Sequence, residues 1–344
     1  MTEASVHGEP VALPPSRSFG RQARSVAGYA VGTALLVLTP AFVFVPAILL
    51  SCGLRNGRRA AWLTLALAGA MFVPYFALLP ASSPDARPMI VLLTGLLLGL
   101  AVPALLVLPM VERAEPFGRV LLAALVAGMG GFALTELGVH ALAGFSPYQD
   151  QLAQWKLMTS QFVGMYQKAG MPFDVTTKMQ RWMTFGTIVL PASILIHASL
   201  AFVLSLTMLV RLRAWRERAE ARGDAPETFT TYRFRNLSLP DWLLFAFVLG
   251  GLTPLLTGMA QKVAANVLTV VAFLYLLQGL AIIRSMLAAA GAGFFSMVFA
   301  FLTLSILMVT GIALLPLSIT GLFDSFFDFR HFKRKDDSHE SHTD

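Results

Sequence analysis

Glu136 and His140 stand four residues apart in "ALTELGVHALAG" (133 to 144), inside a run of Leu, Ala, Gly and Val that otherwise reads as a membrane span. Spaced i and i+4, a carboxylate and an imidazole share one face of a helix, where they can exchange a proton or address a polar ligand. An isolated charge at mid-bilayer costs from about 3 kcal/mol upward, so such groups turn into the bundle, find a partner or reach water. At about 1.5 Å per residue, Glu136 lies about 6 Å from the middle of its span and His140 one turn nearer the interface.

His197, in "PASILIHASLAF", falls near the middle of the next span, which makes a Glu136–His197 pairing inside the bundle geometrically reasonable. Asn266 and Gln278 stand towards opposite ends of a further span. Glu136, His197, His140, Asn266 and Gln278 are therefore the candidate substrate-binding residues of a polar pocket or protonation site. The competing reading is a set of interhelical hydrogen bonds that only fix packing. Beside Glu136 runs a stripe of small residues, Ala124, Gly128, Gly131, Thr135 and Gly138, that lets another helix approach closely.

Other chemistry finds little support. No HExxH, nucleophile elbow, phosphate-cradling Gly loop or acidic metal cluster occurs, so neither an enzyme nor a cofactor is expected. "SHESH" near the C-terminus reads as a short tail with histidines, not as a metal site. Cys52 is the single cysteine, which excludes an intramolecular disulfide.

The elements that position these residues follow from composition. With 56% hydrophobic and 13% charged residues and a mean hydropathy of +0.68, a chain of 344 residues is too apolar for a soluble globule. Apolar runs of about 18 residues or more recur, each able to cross a core of roughly 30 Å as a helix. The alternation of a closed barrel is absent. The expected fold is all-α: a polytopic transmembrane helix bundle with about eight to ten spans and an amphipathic extracytoplasmic helix. Residues 1–24 form a polar tail, 25–323 the bundle and 324–344 a basic amphipathic tail.

The formal charge of +7 does not point to nucleic acid, because Lys and Arg cluster where membrane topology wants them. The 211–238 loop carries Arg211, Arg213, Arg216, Arg218, Arg222, Arg233 and Arg235, which marks it as cytoplasmic. Working outward, 144–182 is an extracytoplasmic insert, and both termini are expected inside. Residues 26–52, with Pro40 and Pro46 between basic flanks, fit either one long span or two short segments meeting at the prolines, and the flanks favour the pair; 292–323 reads as a broken helix. In the insert, Leu152, Trp155, Phe162 and Tyr166 recur on one face, which predicts an amphipathic helix over 148–168 on the membrane or over the bundle. Asp174 is expected to cap a second helix running into the next span. In "SLPDW", Ser238 with Asp241 predicts a capping box at a rigid helix start.

"RFRNLSLPDWLL" (233 to 244), Asn266, "YLLQGLA" (275 to 281) and "GLFDSFFDFR" (321 to 330), with "PAILLSCGLRNGRRAAW" near the start, resemble the YybS-like family of bacterial multi-pass membrane proteins, which lacks an established activity. The resemblance covers most of 25–335 and implies a bacterial inner-membrane location. More remotely, the Pro-rich first hairpin followed by a Gly and a basic turn looks like the substrate-binding S components of vitamin transporters; the long outer helix departs from their compact plan.

The expected function is small-solute binding or transport, as a membrane subunit of a larger transporter. The alternative is a scaffold that recruits partners through the basic loop and a C-terminal helix bearing Asp324, Asp328 and Arg330. Anionic lipid headgroups at the 211–235 loop, a small solute and a protein partner are the expected partners.

Overall fold

The structure is a computed structural model that describes residues 19–74, 87–212, 215–217, 220, 223, 230–309 and 313–327. Within these residues the chain forms thirteen helices and no strand. Helices α1 (Phe19–Val37), α2 (Val45–Asn56) and α3 (Arg58–Ala70) come first. Helix α4 (Arg87–Leu96) passes through a π-helical turn (Leu97–Ala101) into α5 (Val102–Glu112). Then come α6 (Phe117–Ala143), the pair α7 (Pro147–Lys168) and α8 (Phe173–Ile188), and α9 (Leu190–Leu209). Beyond the basic loop lie α10 (Leu243–Gly251), α11 (Gly258–Ala289), α12 (Phe294–Val309) and α13 (Leu314–Phe327).

Met89–Glu112, α6, α9 and α11 are each long and apolar enough to cross a membrane. Pro40–Asn56, Leu243–Leu255 and Leu314–Asp324 are shorter apolar helical segments. At about 1.5 Å per residue such segments do not reach across roughly 30 Å alone. Four crossings therefore follow from length and composition among the described residues, and the expected eight to ten require the shorter helices to be counted.

Proline and glycine set many of the boundaries. Helix α1 stops before Thr39 and Pro40; the Thr39 hydroxyl donates to the Leu36 carbonyl (3.0 Å) and accepts the Ala41 amide (3.3 Å). A 3-10 turn over Pro40–Phe44 then leads into α2, whose first turn holds Pro46. The expected pair of segments meeting at the prolines is thus present. Gly57 (φ 89°) and Gly144 (φ 73°) close α2 and α6 in a conformation that costs glycine little. The 292–323 run divides into α12 and α13, as expected of a broken helix.

Close backbone approach organises the core. On α6, a Cβ at Gly128 would stand 3.0 Å from the Gly99 carbonyl oxygen, and one at Gly131 would run into that of Leu98. The stripe of small residues thus seats α6 on the π-helical turn, and Phe132 fills the space over Gly99. Around this seam α2, α5, α6 and α9 share one buried core with Val271, Leu274 and Tyr275 of α11. At the basic-loop end, Trp215 and Tyr232 are fully buried, their rings 5.1 Å apart, and Phe117 packs edge-on to Tyr232. The Tyr232 hydroxyl donates to the Glu115 carbonyl (3.1 Å), so parts of the basic loop are stitched to the bundle.

Three local expectations need correction. Helix α8 begins at Phe173 after Pro172, with Asp174 in its first turn and not at its cap, and a break at Val189 separates α8 from α9. Helix α10 begins at Leu243 without a side-chain cap, so Ser238 and Asp241 form no capping box; tertiary contacts hold the 237–240 segment instead. Helix α7 forms as expected, but Trp155 of its predicted apolar face turns to α8. Its indole donates to the Met183 carbonyl (3.2 Å) and lies against Gly186.

The seam yields a paired comparison. Gly131→Ala forces a methyl group into the Leu98 carbonyl and should lower stability by about 2 kcal/mol. Gly130→Ala, whose Cβ meets nothing within 4 Å, should be close to neutral. Denaturation of both variants in one detergent checks the ranking.

Candidate functional site

Glu136 lies on the last turns of α6, half-buried, beside the start of α7. Its carboxylate accepts from the Ser146 hydroxyl and from the Tyr148 amide (2.9 Å). Ser146 is itself the N-cap of α7 and accepts the Gln149 amide (3.1 Å). The carboxylate therefore sits at the positive end of α7 and engages donors that a helix start leaves unpaired. Close by in the chain, Arg87 lies 3.9 Å from Asp150, and its guanidinium stands 4.9 Å from the centre of the Phe145 ring.

His140 is exposed, and its carbonyl accepts the Gly144 amide that closes α6. His197 is exposed as well, with Nδ1 2.6 Å from the Ser193 carbonyl of its own helix. Among the described residues no hydrogen bond or ion pair joins Glu136 to either histidine, so the expected Glu136–His197 pairing is not formed.

The two amides hold backbone together. Asn266 accepts the Ala192 amide (2.8 Å) and donates to the Ile188 and Lys262 carbonyls (both 2.8 Å). It thereby clamps both sides of the α8–α9 break, where Pro191 cannot contribute an N–H. Gln278, 1% exposed, accepts the Leu239 amide (3.0 Å) and donates to Asp324 (3.1 Å). This amide links the "SLPDW" segment, α11 and α13. The same region is close-packed: a Cβ on Gly279 would strike the Leu317 carbonyl, and one on Gly321 the Tyr275 carbonyl. Asp324 is 9% exposed, so this member of the expected docking set faces the bundle; Asp328 and Arg330 lie outside the described residues. The "SHESH" tail does too, and among the described residues no three His, Cys, Asp or Glu side chains gather into a possible metal site.

The space available to a ligand lies elsewhere. A cavity of about 150 Å³ opens between α1, α2, α3 and α4, walled by apolar side chains including Leu65, Ala68, Phe72, Leu93 and Leu97. Among the described residues two hydroxyls line it, those of Thr33 and Thr94. Each donates to its own helix, Thr33 to the Tyr29 carbonyl (2.8 Å) and Thr94 to the Ile90 carbonyl (2.5 Å), which leaves each able to accept. Leu97 and Ala101 bring the π-helical turn into the wall, and such turns occur often at functional sites. Across α4, the Thr94 carbonyl faces the Thr135 hydroxyl at 3.4 Å, so cavity wall and α6 seam are two sides of one helix.

The family model described as Predicted membrane protein (DUF2232) matches residues 29–325. The chain belongs to this family. No curated protein and no solved structure matches it. As a DUF2232 protein with four long apolar helices it is a multi-pass membrane protein. The match takes in Glu136, His140, His197, Asn266, Gln278, Asp324 and the whole cavity lining.

In this DUF2232 chain the residues singled out by polarity and those around the cavity are different sets. Thr33, Thr94 and Gly69 are the members of the lining that an apolar sequence could have flagged, and neither their spacing nor their surroundings distinguishes them from packing positions. The amides give a direct test. Gln278→Leu removes the acceptor of the buried Leu239 amide and one donor to the Asp324 carboxylate and should cost about 2–4 kcal/mol of stability. Asn266→Leu should cost a similar amount, whereas Gln161→Leu on the exposed surface of α7 should change little; unfolding titrations of the purified proteins measure all three.

Proposed function

We propose that this protein binds a small, largely apolar solute within the membrane, in the cavity between α1 and α4, as a binding or transport subunit. The observation that carries this reading is the cavity itself, an apolar space of about 150 Å³ with two hydroxyl acceptors in its wall. An apolar cavity of this order accepts a benzene-sized group. Burying six carbons contributes at most about 5 kcal/mol, at about 0.8 kcal/mol each, which alone corresponds to binding weaker than about 0.1 mM. A single N–H or O–H donor directed at Thr33 or Thr94 adds orientation and specificity.

The polar set expected from sequence is a weaker basis for a site. Asn266 and Gln278 have both amide atoms engaged with neighbouring segments, and Glu136 serves the start of α7. The burial of Asp324 likewise removes one charge from the proposed docking helix of a scaffold. The remote likeness to vitamin-transporter S components and the expected bacterial inner-membrane location agree with a solute-binding role.

Gly69 supplies the test, because it lines the cavity and a Cβ placed on it meets nothing within 4 Å. Gly69→Leu should fill the space without disturbing the backbone. Native mass spectrometry of protein purified in mild detergent should detect a co-purifying small molecule that Gly69→Leu loses by tenfold or more, with thermal stability retained. Equal retention of the molecule by Gly69→Leu would remove the cavity from consideration. By contrast, Glu136→Gln should keep solute binding while costing about 1 kcal/mol of stability, since the one amide oxygen can serve only one of the two donors, Ser146 and Tyr148.

A further inference from the structure

Helix α8 carries a face that none of the described residues covers. Val175, Trp182 and Phe185 recur on it at helical spacing, all exposed, Trp182 at 75%. Lys178 and Arg181 stand between them on the same side. Neither cation makes a hydrogen bond or an ion pair among the described residues. Helix α7 packs beside this face: Trp155 donates to the Met183 carbonyl and lies against Gly186, one turn from Trp182. The exposed face therefore borders the α7 contact, with Lys178, Arg181 and Phe185 on the side further from it.

Its position relative to a bilayer follows from α9. Twenty residues long, α9 measures about 30 Å at 1.5 Å per residue, which matches the hydrocarbon thickness. Leu190 and Leu209 thus fall at the two boundaries, and the Val189 break falls at an interface. Asn266 clamps that corner through Ile188 and Ala192 and so sets the direction in which α8 leaves it. Trp182, eight residues before Leu190, lies about 12 Å along the helix from the corner. Across the α7–α8 pair, Lys156, Lys168, Lys178 and Arg181 outnumber Asp150 and Asp174.

We propose that the Val175, Lys178, Arg181, Trp182 and Phe185 face of α8 docks on the headgroup layer of the membrane that α9 crosses, with the aromatic rings at the headgroup level and the two cations on anionic lipid phosphates. The pairing of exposed aromatic rings with unpaired cations at a span boundary is the chemistry of an interfacial helix. This docking holds the α7–α8 pair down at the edge of the bundle. It does not depend on what the cavity binds.

The test uses the full chain in lipid nanodiscs, with Cys52→Ala and one new cysteine, Trp182→Cys or Gln180→Cys, carrying a polarity-sensitive fluorophore. Gln180 lies on an exposed side of α8 turned away from the proposed face. In discs of neutral lipid with about one third phosphatidylglycerol, headgroup-level nitroxide lipids should quench the probe at 182 at least threefold more than the probe at 180. Adding Lys178→Gln and Arg181→Gln should lower quenching at 182 towards that in purely neutral discs. Equal quenching at 182 and 180, or quenching at 182 indifferent to both the charge substitutions and the anionic lipid, overturns the proposal. A probe at 182 shielded from water yet unquenched by lipid also overturns it, because protein then covers the face.

Discussion

A helix that breaks inside or at the edge of an apolar layer leaves backbone N–H and C=O groups without partners, and water is not there to take them. The structure meets this constraint with side chains brought from elsewhere in the chain. Ser205 of α9 donates to the Val43 carbonyl at the Pro40–Phe44 turn. Asn266 of α11 serves the α8–α9 break, Gln278 of the same helix the segment before α10, and Glu136 of α6 the start of α7. Helix α11 thus organises two breaks near its opposite ends, and the broken helices keep defined directions because of it.

This constraint changes how polar residues in an apolar chain are to be understood. A carboxylate or amide within a span suggests a pocket by its cost alone, yet the cost is met equally by an orphaned backbone group. Asn266 and Gln278 illustrate the second case: each joins segments far apart in sequence, and neither amide points to an open space. Glu136 belongs with them, since Ser146 and Tyr148 occupy its oxygens. The cavity between α1 and α4 has the opposite character. Its described wall is almost wholly apolar, with Thr33 and Thr94 as its hydroxyl-bearing members.

The π-helical turn connects these two sides of the molecule. On one side it receives the glycines of α6 at backbone contact distance; on the other, Leu97 and Ala101 form cavity wall. One short turn therefore serves both as cavity wall and as the seat of α6, and α6 leads into the α7–α8 pair. The packed core of α2, α5, α6 and α9 lies beyond the seam and holds it in register.

Hydropathy and the placement of proline and glycine determined by themselves that this chain is an all-α membrane bundle, roughly where its long apolar helices run, that it breaks near Pro40 and Pro46, and that α6 offers a small-residue face. Those are local properties, written in composition and in the 3.6-residue period. Which groups meet was decided by the tertiary structure. Ser238 and Asp241 have the spacing of a capping box, but α10 starts only at Leu243 without a side-chain cap, and Gln278, 39 positions beyond Leu239, holds the segment through the Leu239 amide. Glu136 and His197 have the right chemistry to pair, but Ser146 and Tyr148 of the adjoining turn reach the carboxylate, and His197 faces outward. The cavity left no mark in the sequence because Leu, Ala and Phe at a void are the same residues as Leu, Ala and Phe at a contact. Only the relative placement of α1, α2, α3 and α4 separates the two, and that placement depends on contacts between residues far apart along the chain.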